Sequence, residues 1–260
     1  VFVAGNPGST SRLYTESQVE SLRDFIYSDL MLQYSELRGQ LVEFSKIDAE
    51  HARIATRDLF GIENTLKRMR GQFKALLNED LFEQKRVADA ELKSLVEANA
   101  ELRARIGDPW AEIEAAQAAR AGIYMTNYLV EGRGGFGSDL YGHAVDLVRA
   151  SQERAKPNVE RLPEYSQARL PLLERRLLAE EPIEPELEAL KLEFWLTKLR
   201  EYLAADAPET AIFIGRESPQ TLAQTLSQSR LADPGFRRML WEGGAAAIEE
   251  SDDPMIVYVR

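Results

Sequence analysis

No cysteine occurs anywhere in the 260 residues. Disulfides, thiol nucleophiles and thiolate metal sites are therefore excluded, while the compartment stays open because exported proteins also dispense with cysteine. Histidine is nearly as scarce: His51 and His143 are the whole supply. Neither lies in a His-Glu-x-x-His or His-x3-His spacing, and no Asp-x-Asp-x-Asp-Gly calcium loop is present, so neither metal nor cofactor is expected. Positive charge is in deficit. With 32 Lys and Arg against 43 Asp and Glu, the net charge is −11. Such a chain lacks the basic surface that displaces counterions from nucleic acid and the basic stripe that an anionic membrane attracts. No apolar stretch approaches the roughly 20 residues of a membrane-spanning helix, and no basic segment leads into a hydrophobic core as in a signal peptide. The sequence begins on Val1 and ends on an apolar run to Arg260, so both ends read as cuts from a longer chain.

Strand signal is also thin, confined to residues 1–4, 211–214 and, more weakly, 256–259. Helix signal fills the remainder. Leu22, Ile26, Leu30, Leu37, Leu41 and Phe44 recur at the three-four spacing of an amphipathic helix, and so do Leu59, Ile62, Leu66, Met69, Phe73 and Leu76. Residues 81–106, rich in Glu, Lys, Arg and Ala, read as an exposed helix pair. Gly107 breaks it, and Asp108 can cap a helix whose first residue is Pro109. Ser218-Pro219 and Asp233-Pro234 repeat that signal, and Gly243-Gly244 reads as a helix end. The expectation is a mostly α domain of about ten helices behind a short N-terminal strand remnant.

Ser9 follows a short strand and a glycine turn, as a hydrolase nucleophile would. Its surroundings, Asn6-Pro7-Gly8-Ser9-Thr10, are not Gly-x-Ser-x-Gly, and neither histidine has a triad context, so a turn or cap serine is the favoured reading. Residues 132–137 spell Gly-x-Gly-Gly-x-Gly but follow a helix, whereas a dinucleotide cradle follows a strand. They read as a flexible connector. The acidic run from Glu249 to Asp253 reads as a solvated helix end.

The segment FGIENTLKRMRGQ is more informative. At about 100° per residue, the stripe from Leu59 to Leu76 takes one helix face and Gly61, Asn64, Lys67, Arg68 and Gly71 take the other. Each interior glycine costs about 1 kcal/mol relative to alanine. Two of them flanking Asn64 suggest a face that another segment or a ligand approaches, and the Asn carbonyl is a neutral acceptor suited to an ammonium or amide N–H. An ordinary exposed polar face fits the same pattern.

Six clusters in fixed order resemble one family. They are Gly5-Asn6-Pro7-Gly8-Ser9-Thr10 with Arg12, then Asn64-Thr65-Leu66-Lys67 with Gly71, then Glu153 with Lys156-Pro157, Arg161 and Tyr165. Ser218-Pro219, Leu231-Ala232-Asp233-Pro234 and Asp253-Pro254-Met255-Ile256 complete the set. Over essentially its whole length the chain resembles the helical domain of the bacterial dipeptidyl-peptidases related to dipeptidyl peptidases seven and eleven, chymotrypsin-like serine exopeptidases with a helical domain inserted beside a double β-barrel. The resemblance implies that the catalytic His and Asp precede this chain and the catalytic Ser follows it. No catalytic residue is then expected here. It further implies boundaries: residues 1–14 end a barrel strand and its turn, 15–255 form a helical lid, and 256–260 begin the return to the barrel. An Asn of the helical domain binds the substrate's free α-amine in that family, and the matching residue is Asn64. The expected partners are peptide substrates and the barrel domains, in the periplasm or at the cell surface. Asn6 stands where the family often has an aromatic residue, and the residue that selects the substrate's second side chain lies outside this chain. The competing expectation is a helical interaction or scaffold module with no catalytic role. A lid needs the Asn64 face; a scaffold does not.

Overall fold

The computed structural model describes residues 13–204 and 206–260. The expected strand at residues 1–4 and the turn with Ser9 lie outside them. Helices run through α1 (Glu16–Ser21), α2 (Tyr27–Ser45), α3 (Ala49–Leu76), α4 (Glu79–Glu97), α5 (Ala100–Ile106), α6 (Pro109–Asn127) and α7 (Asp139–Glu153). Then follow α8 (Leu170–Leu177), α9 (Pro185–Tyr202), α10 (Pro208–Phe213), α11 (Pro219–Leu226), α12 (Pro234–Glu250) and α13 (Pro254–Val259). A π-turn at Leu22–Ile26 joins α1 to α2, and a second at Tyr128–Gly132 extends α6. Among the described residues there is no strand. No helix among them is long and apolar enough to cross a membrane.

The chain divides into two compact units. One comprises Val1–Val42 and Thr56–Tyr124. Here α1 meets α4 through a small apolar cluster of Val19, Leu76 and Phe82. The Glu16 amide donates to Asp89 at 2.9 Å, and Lys85 Nζ donates to the Tyr14 carbonyl at 2.8 Å. Side-chain caps start the next helices, as polar residues ahead of apolar-poor sequence do. Asn78 accepts from the Asp80 amide at 3.0 Å, Asn99 from Leu102 at 2.9 Å, and Asp108 from Ala111 at 3.1 Å.

The other unit comprises Glu43–Ala55 and Met125–Arg260. Its centre is aromatic. Trp195, on α9, is fully buried. Its ring lies 4.7 Å from Tyr141 and 5.7 Å from Phe213, while its indole N–H donates to the Leu129 carbonyl at 2.8 Å. Phe136 meets Phe194 edge-on at 4.9 Å. Arg237 is equally buried, its guanidinium donating to the carbonyls of Leu177, Ala179, Leu231 and Ala232. One side chain thus satisfies the end of α8 and the turn before α12, where orphan carbonyls would otherwise be stranded.

Four expectations need correction. Residues 211–214 and 256–259 are not strands. Residues 211–213 fall on α10, with Ile214 just past its end, and 256–259 fall on α13, because four apolar residues in a row carry no period that separates strand from buried helix. At the second site Asp253 and Pro254 start the helix: the carboxylate accepts from the Met255 and Ile256 amides at 3.1 and 3.2 Å. Nor is Asp253 solvated, at 1% exposure. It also accepts from Ser229 Oγ and the Arg230 amide, at 2.8 and 2.7 Å. The glycine-rich segment is a packed turn. Gly135 has φ +68°, and a Cβ there would stand 2.7 Å from Tyr141 Cβ. The expected break at Gly243-Gly244 is present: Gly244, at φ 59°, leaves helical backbone and divides α12 into two helical stretches.

Candidate functional site

Asn64 sits midway along α3. Behind it Ile62, Leu66, Met69 and Leu76 are buried, and Leu59 and Phe73 partly so, which confirms the stripe. Gly61, Asn64, Lys67, Arg68 and Gly71 are all exposed. A Cβ added at Gly61 or Gly71 would meet nothing within 4 Å. The surface beside Asn64 is therefore bare backbone with open space over it. At its end, Arg68 Nη1 and Tyr27 Oη both donate to Gln72 Oε1, at 2.9 and 3.1 Å.

Among the described residues the side chains of Asn64, Thr65 and Lys67 make no hydrogen bond, unlike several polar residues of the later clusters that carried the resemblance. Ser218 accepts from the Thr221 amide at 3.0 Å and Asp233 from Gly235 at 2.8 Å, each starting a helix. Glu153 accepts from Lys156 Nζ at 2.5 Å and from the Leu162 amide at 2.7 Å, which holds its carboxyl below the usual range. Arg161 donates to the carbonyls of Lys156 and Arg154 at 2.9 and 3.1 Å. These side chains build the fold.

The two histidines go different ways. In the second unit His51 lies between carboxylates, with Nδ1 2.8 Å from Asp48 Oδ1 and Nε2 2.7 Å from Glu186 Oε2. Those hydrogen bonds raise its pKa. His143, on α7, is largely buried, and burial followed by the charges of Arg237 and Arg176 lowers its pKa to about 4. Neither histidine bonds a serine or threonine hydroxyl among the described residues. No group of three His, Asp or Glu side chains among the described residues is placed to hold a metal ion.

His143 lines a cavity of about 340 Å³ together with Ser138, Tyr141, Asp146 and Arg176. A groove of about 970 Å³ shares Asp146, Arg149 and Arg176 with it and adds Glu153 and Tyr165. Several of its charges are paired within the fold. Arg149 Nη2 holds both Glu131 oxygens at 3.0 and 2.8 Å, and Arg176 Nη2 holds Asp146 at 2.6 Å. Burial pushes the Tyr165 hydroxyl up to about 12 and raises the Asp146 carboxyl. Above the cavity, Glu188 of α9 accepts from Ser138 Oγ at 2.5 Å and from the Leu140 amide at 3.0 Å, pinning the start of α7. Sequence reasoning passed over this arrangement because the partners lie about fifty positions apart.

The described residues thus define an all-helical domain in which many polar residues serve its own caps and clasps, while the Asn64 amide faces open space on α3. The chain belongs to the Peptidase S46 family, whose model matches residues 1–260. It is 24% identical over 264 residues to the Asp/Glu-specific dipeptidyl-peptidase of Shewanella putrefaciens (strain CN-32 / ATCC BAA-453), an alignment covering 98% of this chain and 35% of that protein. The chain therefore spans about a third of the length of the curated relative it matches.

Proposed function

We propose that this chain is the helical substrate-capping domain of a serine-type dipeptidyl aminopeptidase, and that Asn64 accepts a hydrogen bond from the free α-amine of the peptide. The carrying observation is the state of Asn64: exposed, without a hydrogen bond among the described residues, and set between two glycines over open space. Membership of a peptidase family over the full chain supports the same reading.

An exopeptidase that removes dipeptides has to measure two residues from the amine. A helical cap supplies the closed end of that ruler. A neutral amide carbonyl accepts from an ammonium without the cost of desolvating a carboxylate. Anchoring the amine then fixes the scissile carbonyl at a serine carried elsewhere in the enzyme, which is catalysis by positioning. The triad belongs to barrel domains outside this chain, so the chain alone is inactive. The enzyme works in the periplasm or at the cell surface, where peptides from outside the cell are available.

The test is dipeptide release by the full-length enzyme, with and without Asn64→Ala, on free-amine peptides and their N-acetylated counterparts. Losing a hydrogen bond to a charged group costs about 1.5–3 kcal/mol, or roughly 10- to 150-fold in kcat/KM. That loss, confined to free-amine substrates, is the expected result. An unchanged kcat/KM removes Asn64 from the site. No dipeptide release at all by the wild type would turn the reading toward a scaffold module.

A further inference from the structure

His51 lies in the first turn of α3, the helix that carries Asn64. Each of its ring nitrogens faces a carboxylate oxygen at hydrogen-bond distance, Asp48 on one side and Glu186 on the other. A carboxylate only accepts, so both nitrogens have to donate. Neutral imidazole has a single N–H. In that form it satisfies one carboxylate and turns a lone pair on the other. Donor counting alone therefore assigns the closed arrangement to the imidazolium.

The arrangement ties together segments far apart in the chain. Asp48 belongs to the α2–α3 turn, where its Oδ1 also accepts from the Glu50 and His51 amides, both at 2.9 Å. Glu186 lies in the first turn of α9, 135 positions from His51. On α2, Phe44 meets the imidazole edge-on at 4.7 Å, closing that side with an apolar ring. A second tie lies alongside: Arg53 bonds Glu50 at 2.6 Å and reaches Glu184 at 3.4 Å. The titratable and charged groups around the imidazole are thus Asp48 and Glu50 from the turn, Arg53 from α3, and Glu184 and Glu186 from the start of α9. Arg53 keeps its charge at any working pH. His51 is the member of the set whose charge changes near neutrality.

We propose that His51 is a proton-operated latch, closed on Asp48 and Glu186 as the imidazolium and released from one of them on deprotonation, so that the α2–α3 turn loosens from α9 as the solution becomes alkaline. Its pKa is raised in the folded chain by the two hydrogen bonds. The latch's contribution is then complete below the unfolded value of about 6.5 and disappears as pH rises through the folded value. The inference does not depend on the amine site, because it concerns the foot of α3 and is read without any substrate.

Two histidines in the chain make the test direct. Imidazole titration by NMR, following both ring nitrogens of each, is run on the chain and on its Glu186→Gln and Asp48→Asn variants. His143, near 4, serves as the internal contrast. Expected for His51 are protons on both nitrogens at neutral pH, a pKa above about 6.5, and a drop of about half a unit or more in Glu186→Gln. Amide protection at residues 46–51, corrected for intrinsic rates, should fall roughly threefold or more between pH 6 and 8.5. In Glu186→Gln it should stay flat. Glu186 is exposed, so the variant keeps the fold. A His51 pKa at or below 6.5, a pKa indifferent to both substitutions, or protection without pH dependence would overturn the latch.

Discussion

In the unit of Glu43–Ala55 with Met125–Arg260, α9 alone buries Leu192, Trp195, Leu196 and Leu199 at 0% exposure. In the unit of Val1–Val42 with Thr56–Tyr124, α5 and α6 contain no buried residue. The first kind of helix exists because tertiary packing removes its apolar side chains from water. The second rests on local chemistry: helix-favouring Ala, Glu and Arg, the caps of Asn99 and Asp108, and short-range contacts such as Arg120 over the Tyr124 ring at 5.3 Å. A packed core resists substitution by geometry. A capped surface helix is cheap to open and leaves its outer face unspent. Asn64 stands on α3, whose inner stripe is buried while its outer face stays open.

The comparison can be broken most decisively at Trp195. Trp195→Ala should cost about 3–5 kcal/mol by chemical denaturation and remove protection from α7 and α9 amides. If the amides of α4–α6 lost protection in step, the contrast between the units would fail. A pH experiment comes next. His143 has a folded pKa near 4, below its unfolded value, so the unfolded chain binds the extra proton between pH 6.5 and 4. Stability is therefore lost as pH falls through that window, by up to about 3 kcal/mol. The difference between wild type and His143→Gln isolates this contribution from the carboxylates. Asp253→Ala should cost about 2–3 kcal/mol, since it removes the cap of α13 together with the acceptor for Ser229 and Arg230. Asn99→Ala, a cap on the exposed side, should cost about 1 kcal/mol or less and open only α5 in hydrogen exchange. Gly61→Ala should stabilise the chain by up to about 1 kcal/mol, because the helical site is open. In the full-length enzyme the same added methyl should weaken free-amine substrates if peptide passes over this face. Asn64→Ala should leave stability within about 0.5 kcal/mol, so that any loss of activity is a loss of contact.

Much of this architecture was legible before any coordinates. The stripes on α2 and α3 have the period of a helix, and Asp108-Pro109, Ser218-Pro219 and Asp233-Pro234 marked helix starts by chemistry that the hydrogen bonds confirm. Asp253-Pro254 carried the same signal. Its place at the end of an acidic run suggests a solvated segment, and the apolar run 256–259 carries no period that tells a strand from a buried helix. The packing of Tyr141 on Gly134 and Gly135 left no trace that separates it from a loose linker, because glycine serves tight turns and flexible connectors alike. At the candidate site the face around Asn64 followed from periodicity alone, whereas its want of any internal partner needed coordinates. The contact between His51 and Glu186 had no local pattern to betray it.

One feature of the helix starts reaches past the folded state. From α8 onward every helix has a proline in its first turn: Pro171, Pro185, Pro208, Pro219, Pro234 and Pro254. Each ring fixes φ close to the value its helix needs and narrows what the denatured chain can explore. At about 0.4–1 kcal/mol apiece, six such positions add roughly 2–6 kcal/mol without a single contact that could be drawn in the native structure. Part of the resilience of this half of the molecule is therefore a property of its disordered ensemble, and surveying side-chain packing will always undercount it.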